Sequence, residues 1–157
     1  MPSENDGAPD FTRKVANGDM DDFTLSDHLD EAPIVLAFFP GAFTPPCSNE
    51  RTALQSRIDE FDEAGATIYG VSADSAFSLN AFRDEHDLKF DLVSDMSRGV
   101  IEDYDLSIDV GDLGLYGVAN RAVFVVDGDG RITYTWTAES PENEPDYDEL
   151  LDAVETV

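Results

Sequence analysis

Residues 34–39, IVLAFF, constrain this chain most: six apolar side chains in a row, bounded by Pro33 and by Pro40-Gly41. A half-exposed strand alternates polar with apolar positions, whereas an unbroken run reads as a central strand covered on both faces. Such a strand needs a layer on either side, and the remaining sequence supplies candidates. Phe23 and Leu25 alternate with polar neighbours, which predicts an early edge strand before a turn region at 26–32. Across residues 45–64, Leu54, Ile58 and Phe61 fall at i, i+4 and i+7, one face of a helix that stops at Gly65.

Residues 67–71 (TIYGV) read as a second buried strand. Ser75 then suits the N-cap of a helix carrying Phe77, Leu79 and Phe82. A short strand at 91–93 leads to a helix through Val100, Ile101 and Tyr104. Ala122–Val126 and residues 132–136 flank Asp127-Gly128-Asp129-Gly130, a hairpin signal. Tyr147, Leu150, Leu151 and Val154 end the chain at helical spacing. The order predicts an α/β fold in one domain, residues 1–157, with parallel crossovers and one antiparallel pair in a mixed sheet flanked by helices.

Thirty-five acidic residues face nine basic ones, for a formal net charge of −26, and Lys14 and Lys89 are the only lysines. A surface of that sign repels phosphate backbones and anionic lipid, which argues against nucleic-acid and membrane roles. No apolar run approaches the roughly 18 residues that cross a bilayer. Self-repulsion of this size is relieved when salt shortens the Debye length to about 3 Å at 1 M, so the composition fits a halophile's cytoplasm. The opening MPSENDGAPD is acidic and polar and reads as neither signal nor transit peptide, so a cytoplasmic location is expected.

Cys47 is the one cysteine, so these residues form no disulfide among themselves. It lies in PGAFTPPC, residues 40–47, between the central strand and its helix. In open α/β sheets chemistry gathers at the carboxyl ends of the strands. Thr44 fits the N-cap and Pro45 the first helical position, which sets Cys47 in the first turn beside unpaired backbone donors. A thiolate is stabilised there by the positive end of the helix dipole. A buried cysteine acting only as a small hydrophobe is the alternative; it would more naturally lie within IVLAFF or on the Leu54–Ile58 face.

PGAFTPPC matches the peroxiredoxin pattern P-x-x-x-T-x-x-C, and GAPDFT and ANRAVFVVDGDG resemble further segments of that family in the expected order. The chain is most similar to the one-cysteine AhpE-like and bacterioferritin-comigratory-protein-like branches, and the resemblance implies a thioredoxin-like fold. It implies that Cys47 is the peroxidatic cysteine, that Thr44 offers its hydroxyl to the thiolate and the peroxide, that Pro40 shields the sulfur and that Arg121 completes the pocket. Glu50 matches an acid that orients such an arginine, and Arg51 lies one helical turn from Cys47. Read alone, Thr44 serves equally as a cap, Pro40 as a strand terminator, and Arg121 or Arg51 as a partner for a carboxylate. The implied activity is reduction of hydrogen peroxide or organic hydroperoxides through a sulfenic acid. It calls for no metal or cofactor. An external thiol, a thioredoxin-like protein or a small molecule, completes the cycle, and a homodimer is the expected assembly.

Two rivals share the fold. A general thiol–disulfide oxidoreductase would carry C-x-x-C, which Cys47 lacks, and a thioredoxin-like binding module would hold an unreactive cysteine. Gly111, Gly114 and Gly117 are spaced wrongly for a dinucleotide fingerprint and read as a flexible loop ahead of Arg121. Asp127 and Asp129 resemble a calcium loop that Gly130 and Arg131 interrupt, so a turn is expected. His28 and His86 are assigned no role. The −26 background opposes another anion at Cys47, and salt screens that background more than it screens adjacent donors. Thiolate absorbance titrated at low and high ionic strength is therefore expected to give the lower Cys47 pKa in high salt; a salt-independent value would contradict this electrostatic reading.

Overall fold

The computed structural model describes residues 2–42, 53–140 and 143–157. Its main sheet has seven strands in the order β2-β1-β5-β4-β3-β8-β9. These are β1 (Thr12–Ala16), β2 (Met20–Thr24), β3 (Ile34–Phe38), β4 (Thr67–Ser72), β5 (Asp91–Ser94), β8 (Ala122–Val126) and β9 (Ile132–Thr137). The apolar run forms β3, an interior strand parallel to β4 and antiparallel to β8. Every residue from Ile34 to Phe39 is 0% exposed. Ile34, Leu36 and Phe38 enter one core, and Val35, Ala37 and Phe39 enter the other, as a side-chain period of two dictates.

Helices α1 (Ile58–Glu63), α2 (Ala76–Glu85) and α4 (Tyr147–Glu155) cover the second core through Phe61, Leu79, Phe82, Leu150 and Val154. Residues 53–56 are helical ahead of α1, with a turn at Arg57 where the sequence predicts continuous helix. Gly65 ends α1 at φ +80, a backbone angle that a side chain disfavours. Ser75 caps α2 by accepting from the Ser78 N–H at 3.2 Å, and Asp146 caps α4 through the N–H groups of Asp148 and Glu149. The helix carries Phe77 as expected, but this ring is 75% exposed, because Ala76, Leu79 and Phe82 form the inward face of α2.

The first core is aromatic at its centre. Tyr104, just beyond α3 (Gly99–Asp103), packs against Phe38 at 5.0 Å and Phe124 at 5.2 Å between ring centroids. Its hydroxyl donates to the Pro9 carbonyl at 2.8 Å. Burial raises the phenol pKa well above its ordinary value, so Tyr104 stays a protonated donor.

Two further segments differ from the sequence reading. Phe23 lies in an edge strand as expected, but that strand pairs with β1, a strand not anticipated because TRKVA carries two adjacent cations. Residues 107–119, read partly as a flexible loop, form a second antiparallel pair, β6 (Ser107–Val110) with β7 (Leu115–Ala119). Gly114 and Gly117 adopt positive φ there, so these glycines shape a hairpin. The 127–130 segment is the expected turn: Asp127 Oδ1 accepts from the N–H groups of Asp129 and Arg131. Phe124→Ala should lower unfolding free energy by about 3–5 kcal/mol, since it removes the ring shared by Phe38 and Tyr104; chemical denaturation measures it.

Candidate active site

The carboxyl ends of parallel strands β3, β4 and β5 lie side by side: Phe38 is opposite Val71, and Ser72 is opposite Ser94. Strand β8 begins at the same end, because antiparallel pairing sets Ala122 opposite Phe38. Arg121, one residue earlier, is thereby carried to where the chain leaves β3. Pro40 is buried two residues beyond the end of that strand, and Phe39 extends the pairing by donating to the Val71 carbonyl at 3.0 Å. The fold brings Pro40 and Arg121 to one end of the sheet. Cys47 and Thr44 lie outside the described residues, as do Pro45, Glu50 and Arg51.

Arg121 is 0% exposed. A guanidinium so placed must be compensated, since burying an unpaired charge costs several kcal/mol. Its backbone is held rigidly: the N–H donates to Asn120 Oδ1 at 2.9 Å, and the carbonyl accepts from Ala138 N–H at 2.9 Å. Asn120 also donates through Nδ2 to the Ala138 carbonyl and through its N–H to the Leu106 carbonyl. The corner before β8 is therefore tied to two other segments, at Leu106 and Ala138, a role for Asn120 that ANRAVF did not reveal.

Sequence reading also missed two carboxylates at this end of the sheet. Asp95 is fully buried just past β5, where its Oδ1 accepts from Arg13 Nε at 2.8 Å and its Oδ2 from the Ile101 N–H at 2.8 Å. Asp74, beyond β4, accepts at Oδ2 from the Ala42 N–H and from the Ser72 hydroxyl, each at 2.8 Å. Asp95 directly follows, and Asp74 lies two residues after, a serine that ends a strand, the one signal that could have drawn attention to them. The histidines lie elsewhere: His28 stacks on Phe23 at 4.6 Å, and His86 packs on Phe82 at 4.7 Å. Among the described residues no group of three or more His, Cys, Asp or Glu side chains is arranged to hold a metal ion.

The AhpC/TSA family model matches residues 5–135. A peroxiredoxin of Mycobacterium tuberculosis is 34% identical over 131 residues, covering 81% of this chain and 80% of that protein. The chloroplastic 2-cysteine peroxiredoxin of Chattonella marina var. antiqua is 36% identical over 136 residues, covering 82% of this chain. The chain spans about two thirds of that relative, 67% of its length. Among solved structures, peroxidoxin BcpB from Mycobacterium tuberculosis superposes with a TM-score of 0.86 at 25% identity, covering 100% of this chain and 99% of its own.

The placement of Arg121 has a measurable consequence. Arg121→Met keeps an unbranched chain but removes the buried guanidinium, and is expected to slow oxidation of Cys47 by hydrogen peroxide by about 100-fold. Arg121→Lys keeps the charge without the planar fork and should fall between the two. Stopped-flow kinetics with circular dichroism as the folding control would measure both.

Proposed function

The chain belongs to the AhpC/TSA family, the peroxiredoxins, and is a thiol-dependent peroxidase; on that premise we propose that it runs a one-cysteine cycle on Cys47. The observation that carries this reading is the wholly buried Arg121, set by the β3–β8 register beside the segment that runs through Pro40 toward Cys47. The thiolate of Cys47 attacks one peroxide oxygen. A sulfur–oxygen bond forms as the oxygen–oxygen bond breaks, sulfur loses two electrons, and the departing oxygen leaves as water or an alcohol after taking a proton. Negative charge grows on that oxygen in the transition state, where the Arg121 guanidinium and the Thr44 hydroxyl stabilise it more than in the ground state. Pro40 keeps bulk water from the sulfur.

Cys47 is the only cysteine in the 157 residues, so its sulfenic acid has no partner thiol within them. An external thiol then attacks the sulfenic sulfur and releases water, leaving a mixed disulfide. A second thiol displaces Cys47 as thiolate and leaves as the external disulfide. Either a thioredoxin-like protein or a small thiol satisfies this chemistry. The working unit in this proposal is a cytoplasmic homodimer suited to high salt, a medium that the charge of −26 favours.

Mass spectrometry after mixing with hydrogen peroxide tests the cycle. Cys47 should gain one oxygen far faster than free cysteine does, no intrachain disulfide should form, and added thiol should restore the reduced mass. Cys47→Ser should do none of this. A rate no faster than that of free cysteine overturns the proposal.

A further inference from the structure

We propose that Asp74 is a positioning residue of the peroxide site, its carboxylate pinning the backbone that leads from β3 into the segment bearing Thr44 and Cys47. This rests on Cys47 being the reacting group. Asp74 Oδ2 accepts from the Ala42 N–H and the Ser72 hydroxyl, both at 2.8 Å, and its backbone carbonyl accepts from the Ser94 hydroxyl at 2.7 Å. Ser72 and Ser94 are buried and end β4 and β5. One residue thus ties two parallel strand ends to the chain leaving the third. The carboxylate also lies along Gly41, where a Cβ would stand 3.9 and 4.0 Å from its two oxygens.

A merely local role does not account for this arrangement. The helix that follows is capped by Ser75, so α2 does not need Asp74 as its cap. In a chain crowded with solvated carboxylates, this one is turned toward strand ends and bonds a backbone N–H two residues before Thr44. A bond from an N–H to a carboxylate is charge-assisted, stronger than one to a neutral acceptor. Fixing Ala42 limits where the next few residues can run, and reacting groups misplaced by about 1 Å can lose about 100-fold in rate.

The test compares Asp74→Ala with Asp74→Asn, which keeps an acceptor and drops the charge. Two readouts are used: single-turnover oxidation of Cys47 by hydrogen peroxide, and the pH profile of Cys47 alkylation by iodoacetamide. Asp74→Ala should slow oxidation ~10–100-fold and shift the alkylation profile to higher pH, while Asp74→Asn should stay within about threefold of the parent. Oxidation in Asp74→Ala within twofold of the parent, with an unmoved profile, overturns the proposal, as do equal losses in both variants. Should Asp74→Ala not fold, Ser72→Ala loosens the same carboxylate. It should show a smaller loss in the same direction, and parent-like values in both readouts overturn the proposal. Failure of the underlying reading is separate: Cys47→Ser would then still consume peroxide at the parent rate, whatever Asp74 does.

Discussion

Burial of β3 on both faces is the constraint from which the rest of the molecule follows. Six consecutive side chains, Ile34 to Phe39, are shut away from solvent and divided alternately between two cores. Sliding such a strand by one residue would exchange every side chain between cores of different shape, so its register is strongly specified. That register is shared. Phe38 is held opposite Val71 on one side and Ala122 on the other, so a residue just before β8 and the turn after β3 have no freedom to separate. A sheet stabilised by apolar packing thereby sets the position of a guanidinium.

The buried polar groups show where the fold changes character. Among the described residues, those buried are Ser72, Ser94, Asp95 and Arg121. All four lie at the end of the sheet where β3, β4 and β5 finish and β8 begins. Buried polar atoms are retained where hydrogen bonds satisfy them, and each such group adds a geometric demand that apolar packing does not. The hydrophobic middle of the sheet supplies stability and the polar end supplies orientation. Asp95 illustrates the division: one oxygen holds Arg13 of β1 and the other holds the backbone at Ile101 in α3, so two layers meet on a single carboxylate.

Periodicity carried much of the architecture. IVLAFF, TIYGV and the DGDG hairpin were legible because their strands are buried on both faces or joined by a turn with its own chemistry. β1 was not, since a strand lying between β2 and β5 gains its place from partners distant in sequence, and Arg13 and Lys14 conceal its alternation. The glycines at 114 and 117 misled for a related reason: positive φ suits a hairpin as well as a loop. Pro40 and Arg121 were singled out by the family resemblance, and strand pairing brings both to one end of the sheet. Asn120, Asp74 and Asp95 were hidden because acids and amides are common here and their importance comes from burial and bond partners, which no local spacing encodes.

The distribution of cations bears on mechanism. With nine basic residues against thirty-five acids, surface cations have the most repulsion to relieve. Most described ones do so: Lys14 meets Asp22, Arg57 meets Glu60 and Asp148, Arg83 meets Asp91, and Lys89 meets Asp87. Arg121 alone among the described basic residues is wholly buried. Its burial carries a desolvation cost that a surface position would avoid. A buried guanidinium has a distinct electrostatic property: solvent and salt screen it far less than they screen the exposed acids. In the cycle proposed for Cys47, a weakly screened positive charge at this end of the sheet can then outweigh many distant negative ones. Hydrogen peroxide, the proposed substrate, is neutral and crosses the acidic surroundings without repulsion. The acidic exterior and the anionic chemistry proposed for Cys47 are thus compatible, because one cation is kept where screening is weak.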